Sequence, residues 1–360
     1  MYLISLSVGI AIFMTYVQAG FAAPLQVNQW KPAFDYTRQP HRIPYTSALP
    51  ATRNWLLCIV YPHLKDAYWL GVNYGMVEEA KRLGVELRLF EAGGYPYLER
   101  QRNLVSECSN IPGVDALILG TVSFHGLSDL VQNISKKMPV LATINDIADM
   151  GITAKVGVSW HEMGRSVGRY LAQRHPVGSE SVPIAWFPGP KGAGWVPFVD
   201  RGFREAVAKS AVEIVTTGWG DTGKAIQRNL VQNALDDHPE VRYLVGNALM
   251  AEAAISVLRE RRLRDDIKIL STYFTPGVYR GIARGRVLAA PTDSPVLQGR
   301  LSINQAVNLL EGRSFKPHMG PAIRMIDIES LKDLDLAKSL APATFSPLFY
   351  YRPEKTRPGL

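Results

Sequence analysis

From Trp55 onward the chain alternates short apolar runs with segments whose apolar positions recur every three or four residues. The runs WLLCIVYP, VELRLFEAG, VDALILGT and PVLATIND read as strands and the stretches between them as crossover helices, the succession expected of a parallel sheet. In the first of these helices Leu70, Tyr74, Val77, Ala80 and Leu83 mark one face, Glu78, Glu79, Lys81 and Arg82 mark the other, and Gly84 ends it. The pattern then switches to period two: Val85, Leu87 and Leu89 alternate with Glu86, Arg88 and Phe90, as in a strand covered on one side.

A second series begins at AKVGVSW and continues through VPIAWFPGP, VEIVTTGWG, VRYLVGN and IKILSTYF, with helices expected over 161–174, 199–209, 222–235 and 248–262. Two such series predict an α/β protein of two lobes, each a doubly wound parallel sheet. After them come RVLAAPTDS, a long helix to about Leu310 and a last strand at AIRMIDI, spare elements that can cross back between lobes. Residues 23–54, rich in Pro, Gln and Arg without clear periodicity, read as an extended arm leading into the fold, and 336–360 as a tail.

The first 22 residues form an apolar run ending in small residues, with Val17-Gln18-Ala19 and Gly20-Phe21-Ala22 both fitting a small-x-small cleavage site. This reads as a secretory signal peptide; the competing reading is an uncleaved membrane anchor. Export places the remainder in the periplasm, where the two cysteines, Cys58 and Cys108, either form a bridge or remain buried thiols. The 360 residues, 47% hydrophobic and 20% charged, are enough for two lobes with substantial cores. The net charge of +8 does not point to nucleic acid. Its densest cluster, Arg259, Arg261, Arg262 and Arg264, falls at a helix end, where cations complement the dipole and face water.

Ligands of open α/β sheets bind beyond the carboxyl ends of the strands. Here those turns are aromatic: Lys65-Asp66-Ala67-Tyr68-Trp69, Gly93-Gly94-Tyr95, Ser159-Trp160 and Thr272-Tyr273-Phe274. Rings converging from both lobes would form a box suited to a cation with no hydrogens to donate, at about 0.5 to 2 kcal/mol per contact. Asp66 and Tyr273 are the candidates to fix the ligand's polar end. Taken singly, Trp69 or Trp160 could equally plug the core; the shared position carries the argument. The chain contains no HExxH, GxSxG, CxxC or GxxxxGK[ST] motif, and its seven histidines are scattered, so neither an enzyme nor a metal or cofactor site is expected.

The segments YPHLKDAYWLGVNYGMVEEAKRLGV, EAGGYPYL, FPGPKGAG, GFREA, IQRNLVQ, AEAA and VYRGIARGRV resemble the trimethylamine N-oxide-binding members of the type I periplasmic-binding-protein superfamily, from about Trp55 to the last strand. The resemblance implies three crossovers, near Trp160, Asp293 and Ser314. One lobe would then hold 55–158 and 293–314, the other 159–292 and 315–335. It implies a ligand cage of Tyr68, Trp69, Tyr95, Trp160 and Tyr273, with Asp66 helping to hold the oxide oxygen. It also implies a partner, the periplasmic sensor domain of a histidine kinase whose output induces trimethylamine N-oxide respiration. One departure stands out: Trp195-Val196-Pro197-Phe198 is bulkier and more apolar than those relatives lead one to expect. The rival readings are a sugar or autoinducer binder on the same fold, against which Tyr273-Phe274 stands where sugar binders tend to supply an aspartate, and a betaine or choline binder. A repressor of the related class would need an N-terminal helix-turn-helix that residues 1–53 do not offer.

Overall fold

A computed structural model describes residues 25–354; the expected signal peptide at 1–22 lies outside the described residues. The first lobe opens with two strands, β1 (Leu25–Gln29) and β2 (His41–Tyr45). It continues through β3 (Leu56–Tyr61), α1 (Ala67–Leu83), β4 (Glu86–Glu91), α2 (Leu98–Ser109), β5 (Val114–Leu119), α3 (Ser128–Ile134), β6 (Val140–Ile144) and β7 (Ala154–Gly157). The second comprises α4 (Trp160–Ala172), β8 (Val182–Gly189), α5 (Val196–Val207), β9 (Val212–Trp219), α6 (Lys224–Asp237) and β10 (Tyr243–Gly246). It closes with α7 (Ala248–Glu260), β11 (Lys268–Ser271), α8 (Pro276–Ala283) and β12 (Ala289–Thr292). Then follow α9 (Pro295–Leu310), β13 (His318–Gly320), β14 (Arg324–Asp327) and β15 (Tyr350–Tyr351).

The strands form two sheets, β15-β4-β3-β5-β6-β7-β13-β1-β2 and β14-β12-β11-β10-β8-β9. Every pairing among β3 to β7 and among β8 to β12 is parallel, because a crossover carries the chain back after each strand, a helix in every case but the irregular 145–153 connection between β6 and β7. A parallel sheet is covered on both faces, so its inner strands are mostly apolar: Leu57 to Tyr61 of β3 are all fully buried.

The helix layers explain why α1 buries more than one narrow stripe. It packs on the sheet and also on α9, and at the crossing Gly75 and Gly299 admit the other helix's backbone. A Cβ on Gly75 would sit 2.0 Å from the Val296 carbonyl oxygen, and one on Gly299 2.3 Å from that of Val72. Glu79, expected on the solvent face, is therefore buried, with Arg82 and Asn304 Nδ2 satisfying its carboxylate, while Leu70 and Tyr74 are only partly buried.

Two expectations are corrected by pairings far apart in the chain. The chain changes sheets between β7 and α4, between β12 and α9, and again between β13 and β14. The third of these lies at 321–323, not near Ser314, because the three-residue strand β13 keeps the chain in the first sheet beside β7; a further return to the first sheet follows at β15. The segment 23–54 is also more than an arm. Its strands β1 and β2 extend the first sheet through β13, and the 336–360 tail supplies β15 to the opposite edge. Both ends of the described chain thus cover edges that would otherwise present unpaired backbone groups. Cys58 of β3 and Cys108 of α2 are joined as a disulfide, Cα to Cα 5.9 Å.

Candidate ligand-binding site

The strand ends of the two lobes face each other, and the turns that follow them meet in one compact pocket. Its walls are Asp66, Tyr68, Trp69, Tyr95 and Asn145 from the first lobe, and Trp160, Trp195, Thr222 and Tyr273 from the second. Local chemistry places each. Asp66 has extended backbone angles and its Oδ1 accepts from the backbone N–H groups of Tyr68 and Trp69, both at 3.1 Å, so it is the N-cap of α1 and aims those rings into the cleft. Ser159 caps α4 in the same way and sets Trp160 at its first position. Tyr95 follows a turn in which Gly93 and Gly94 have φ of +92° and +155°, a conformation open chiefly to glycine. Ile144 at the end of β6 has φ +67°, costly for a β-branched residue, and its carbonyl oxygen accepts from Trp160 Nε1 at 3.1 Å.

The rings form a continuous cage. Centroids lie 5.3 Å apart for Tyr68 and Tyr273, 6.4 Å for Tyr68 and Trp160, 4.9 Å for Trp160 and Trp195, and 6.1 Å for Tyr95 and Trp195. Of these, Tyr95 is partly buried and the others are at most 4% exposed. The Tyr68 hydroxyl donates to Asp293 Oδ2 at 2.5 Å, and Gln298 Nε2 donates to the same oxygen at 2.7 Å, tying the cage to the β12–α9 crossover. Burial raises the pKa values of Tyr68, Tyr95 and Tyr273, so all three phenols are neutral in the physiological range. The cavity between the rings is about 10 Å³, room for one water-sized sphere.

Outside the cage the lobes are clasped by further contacts. Lys65 Nζ meets Asp221 Oδ2 at 2.5 Å, His63 and Thr222 approach to 3.3 Å, and Gly194 N–H donates to the Val122 carbonyl at 3.2 Å. Burial depresses the pKa of His63, with Asp66 opposing it, so the clasp holds a neutral imidazole. A much larger cleft of 1260 Å³ shares no wall residue with the cage. Many of its charged groups pair with each other, as in Glu162 with Arg165 and Arg169 and His161 with Glu205, so the convergent unpaired chemistry lies in the cage.

All six residues singled out in the sequence, Asp66, Tyr68, Trp69, Tyr95, Trp160 and Tyr273, line this pocket. Asp66 differs from expectation in what it offers. One oxygen is occupied by the helix cap, and an ionised carboxylate only accepts hydrogen bonds, so it suits the cationic side of a ligand and not an oxide oxygen. Sequence reasoning missed Trp195, Asn145 and Thr222. The same rule of inspecting the residues after each strand would have found them, since Asn145 follows β6, Trp195 closes the turn after β8, and Thr222 lies in the turn after β9.

Two lobes of parallel sheet joined by crossovers, with a buried site between their strand ends, define a periplasmic solute-binding architecture. The chain belongs to the family of periplasmic binding proteins and sugar-binding domains of the LacI family, whose model matches residues 54–339. Within it, the chain is similar to the periplasmic protein TorT of Escherichia coli K12, 38% identical over 326 residues, covering 90% of this chain and 91% of that protein. Among solved structures it is similar to a solute-binding protein of an ABC transporter from Bradyrhizobium sp. BTAi1 with bound bis-tris. The identity is 43% and the TM-score 0.78, over 91% of this chain and 98% of that one. It is also similar to the complex of the TorS sensor domain with TorT in the presence of trimethylamine N-oxide, at 42% identity and TM-score 0.75, over 82% of this chain and all of that one.

Proposed function

We propose that this protein captures trimethylamine N-oxide in the aromatic cage and presents the closed form to the periplasmic sensor domain of a TorS-like histidine kinase, inducing trimethylamine N-oxide respiration. The observation that carries the reading is the meeting of six rings from both lobes around one small buried space. The π faces of such a cage favour a methylated cationic nitrogen, and the similarity to TorT supplies the same chemistry and the partner. Tyr68, Trp69, Tyr95, Trp160 and Tyr273 act as the walls, with Asp66 on the cationic side. A sugar needs several planar polar side chains to match its hydroxyls, and this pocket is mostly rings with few polar groups.

The size of the space has a consequence. Room for one water-sized sphere between almost fully buried walls means that the rings must part when the ligand enters and close again over it. At a ceiling of about 1.5 kcal/mol per heavy atom, such a ligand gains at most about 7.5 kcal/mol, a dissociation constant on the order of micromolar. Little is left to drive closure, so the free protein closes nearly unaided or the kinase domain stabilises the closed form.

Titration calorimetry of the mature protein with trimethylamine N-oxide, glycine betaine, choline, ribose and glucose tests this. Micromolar binding of the amine oxide is expected, weakened about tenfold or more in Trp160→Ala. Binding of a sugar in its place would overturn the proposal.

A further inference from the structure

Trp195 stands in the stretch that is bulkier and more apolar than the trimethylamine N-oxide-binding relatives lead one to expect, and the cage gives it a specific task. Its indole is 2% exposed, and Nε1 is buried with no well-aligned hydrogen bond among the described residues, although it stands near enough to the Tyr95 hydroxyl to draw that phenol's pKa down against the rise from burial. Indole N–H is a donor only, and a buried donor without an acceptor is rare enough to need a reason. Its neighbours are better supplied. Trp160 Nε1 donates to the Ile144 carbonyl, the Tyr68 hydroxyl donates to Asp293, and the Tyr95 hydroxyl accepts from Asn145 Nδ2 at 3.2 Å.

The ring is held tightly in this orientation. Gly189 has φ +130°, and a Cβ there would stand 2.8 Å from Trp195 Cη2, so the benzo edge rests directly on backbone. One neighbouring ring, Trp160, lies 4.9 Å away at an interplanar angle of 42°. Gly194, just before it, is pinned to the first lobe through its N–H bond to Val122, and a Cβ there would meet the Asp146 carbonyl oxygen at 2.5 Å. The ring is therefore held by packing on both lobes, its centroid 6.1 Å from that of Tyr95, and the influence of Trp195 on the Tyr95 phenol places the N–H on that side of the cage.

We infer that Trp195 determines ligand specificity: its Nε1–H donates to the oxygen of an amine oxide, so the cage selects a methylated nitrogen that carries an acceptor over a quaternary ammonium of the same shape. This deepens the functional reading above and rests on it. The chemistry is complementary in both halves. Trp69, Trp160 and Tyr273 present π faces to the methylated cation, while the oxide, a strong acceptor, needs a donor that Asp66 cannot supply when ionised. Tetramethylammonium fills the same shape but sets a methyl group against the buried N–H and leaves it unpaired. Sites built to hydrogen-bond a substrate reject such analogues strongly.

The test compares trimethylamine N-oxide with tetramethylammonium by calorimetry on wild type and on Trp195→Phe, which keeps a ring and removes the N–H. Wild type should prefer the oxide by at least about tenfold. Trp195→Phe should lose about tenfold in oxide affinity while tetramethylammonium changes less than about threefold. A second measurement does not depend on the variant's stability. The seven tryptophans give indole N–H resonances, and the one missing in Trp195→Phe should shift with the oxide and stay in place with tetramethylammonium. Equal losses for both ligands, an unchanged preference, or an unmoved Trp195 resonance while the oxide binds would overturn the inference and leave the proposed function standing. Wild type that binds neither compound would remove both.

Discussion

Two buried regions of this molecule contain polar groups without protein partners, and they are built on opposite plans. The cage is assembled from rings on both lobes. The other region lies wholly in the first lobe, where the β1–β2 segment covers β7 and β13. There Lys155 and Asp146 form a salt bridge of 2.5 Å, each side chain 4% exposed. The Tyr36 ring lies 4.5 Å from Lys155 Nζ, and His318 is stacked on Trp30 at 4.6 Å while its Nδ1 accepts from the Phe34 N–H at 2.9 Å. Charge burial is tolerable here because the ion pair and the ring are held within one lobe and need never separate. Rings make up most of the interlobe site, where opening exposes the walls to water; its carboxylate, Asp66, is held within the first lobe by the α1 cap, and the ion pair that does cross the lobes, Lys65 with Asp221, is partly exposed.

The contrast is breakable by experiment. The largest effect is expected from Lys155→Met, which leaves Asp146 buried and uncompensated. Unfolding in urea should show a loss of about 3–5 kcal/mol, while the protein that remains folded binds trimethylamine N-oxide within about twofold of wild type. A large loss of affinity with little loss of stability would put this ion pair in the ligand machinery instead.

A smaller effect follows from pH. Burial, aided by the Lys155 charge, depresses the pKa of His318 to about 2, below the ordinary 6.5. Between those values the unfolded chain binds a proton that the folded protein refuses, so stability falls as pH drops below 6.5. The slope approaches about 1.4 kcal/mol per unit, or about 2 kcal/mol at pH 5. His318→Phe should be less stable at neutral pH but show a flatter slope between pH 6.5 and 5; His63, depressed in the same direction, leaves part of the slope in place. An unchanged slope would count against His318.

The smallest effect belongs to the clasp. Lys65 is about a third exposed, 36%, so its bridge to Asp221 contributes no more than about 1 kcal/mol. Lys65→Ala should weaken ligand binding by about two- to fivefold, with the difference vanishing at high salt. A larger loss would mean that this contact is a principal determinant of closure.

Much of this was legible along the chain. The alternation of apolar runs and amphipathic helices is local, set by the pleat and the helical turn, and it yielded both lobes. Six cage residues were found because their place, directly after strand ends, is a property of the fold class. Trp195 lies six positions past the glycine that ends β8, no farther than Tyr68 and Trp69 lie from the end of β3, and it escaped because the bulk of Trp195-Val196-Pro197-Phe198 reads along the chain as an altered rim of the second lobe. The third crossover was misplaced because β13 has three residues and no periodicity of its own; it is a strand only because β1 and β7 flank it.

What the sequence by itself determined is the set of central units: the strands and helices of the two alternating series, the end of α1 at Gly84, and which turns carry aromatic side chains. Those features depend on neighbours within a few positions. Tertiary structure alone decided that both ends of the described chain extend the edges of one sheet, that Cys58 meets Cys108, that Glu79 is buried beneath α9, and that the Trp195 nitrogen is sealed in the cage without a well-aligned acceptor. Each of these joins residues dozens to hundreds of positions apart, and such contacts are settled by which surfaces exclude water together, a property no short window of sequence contains.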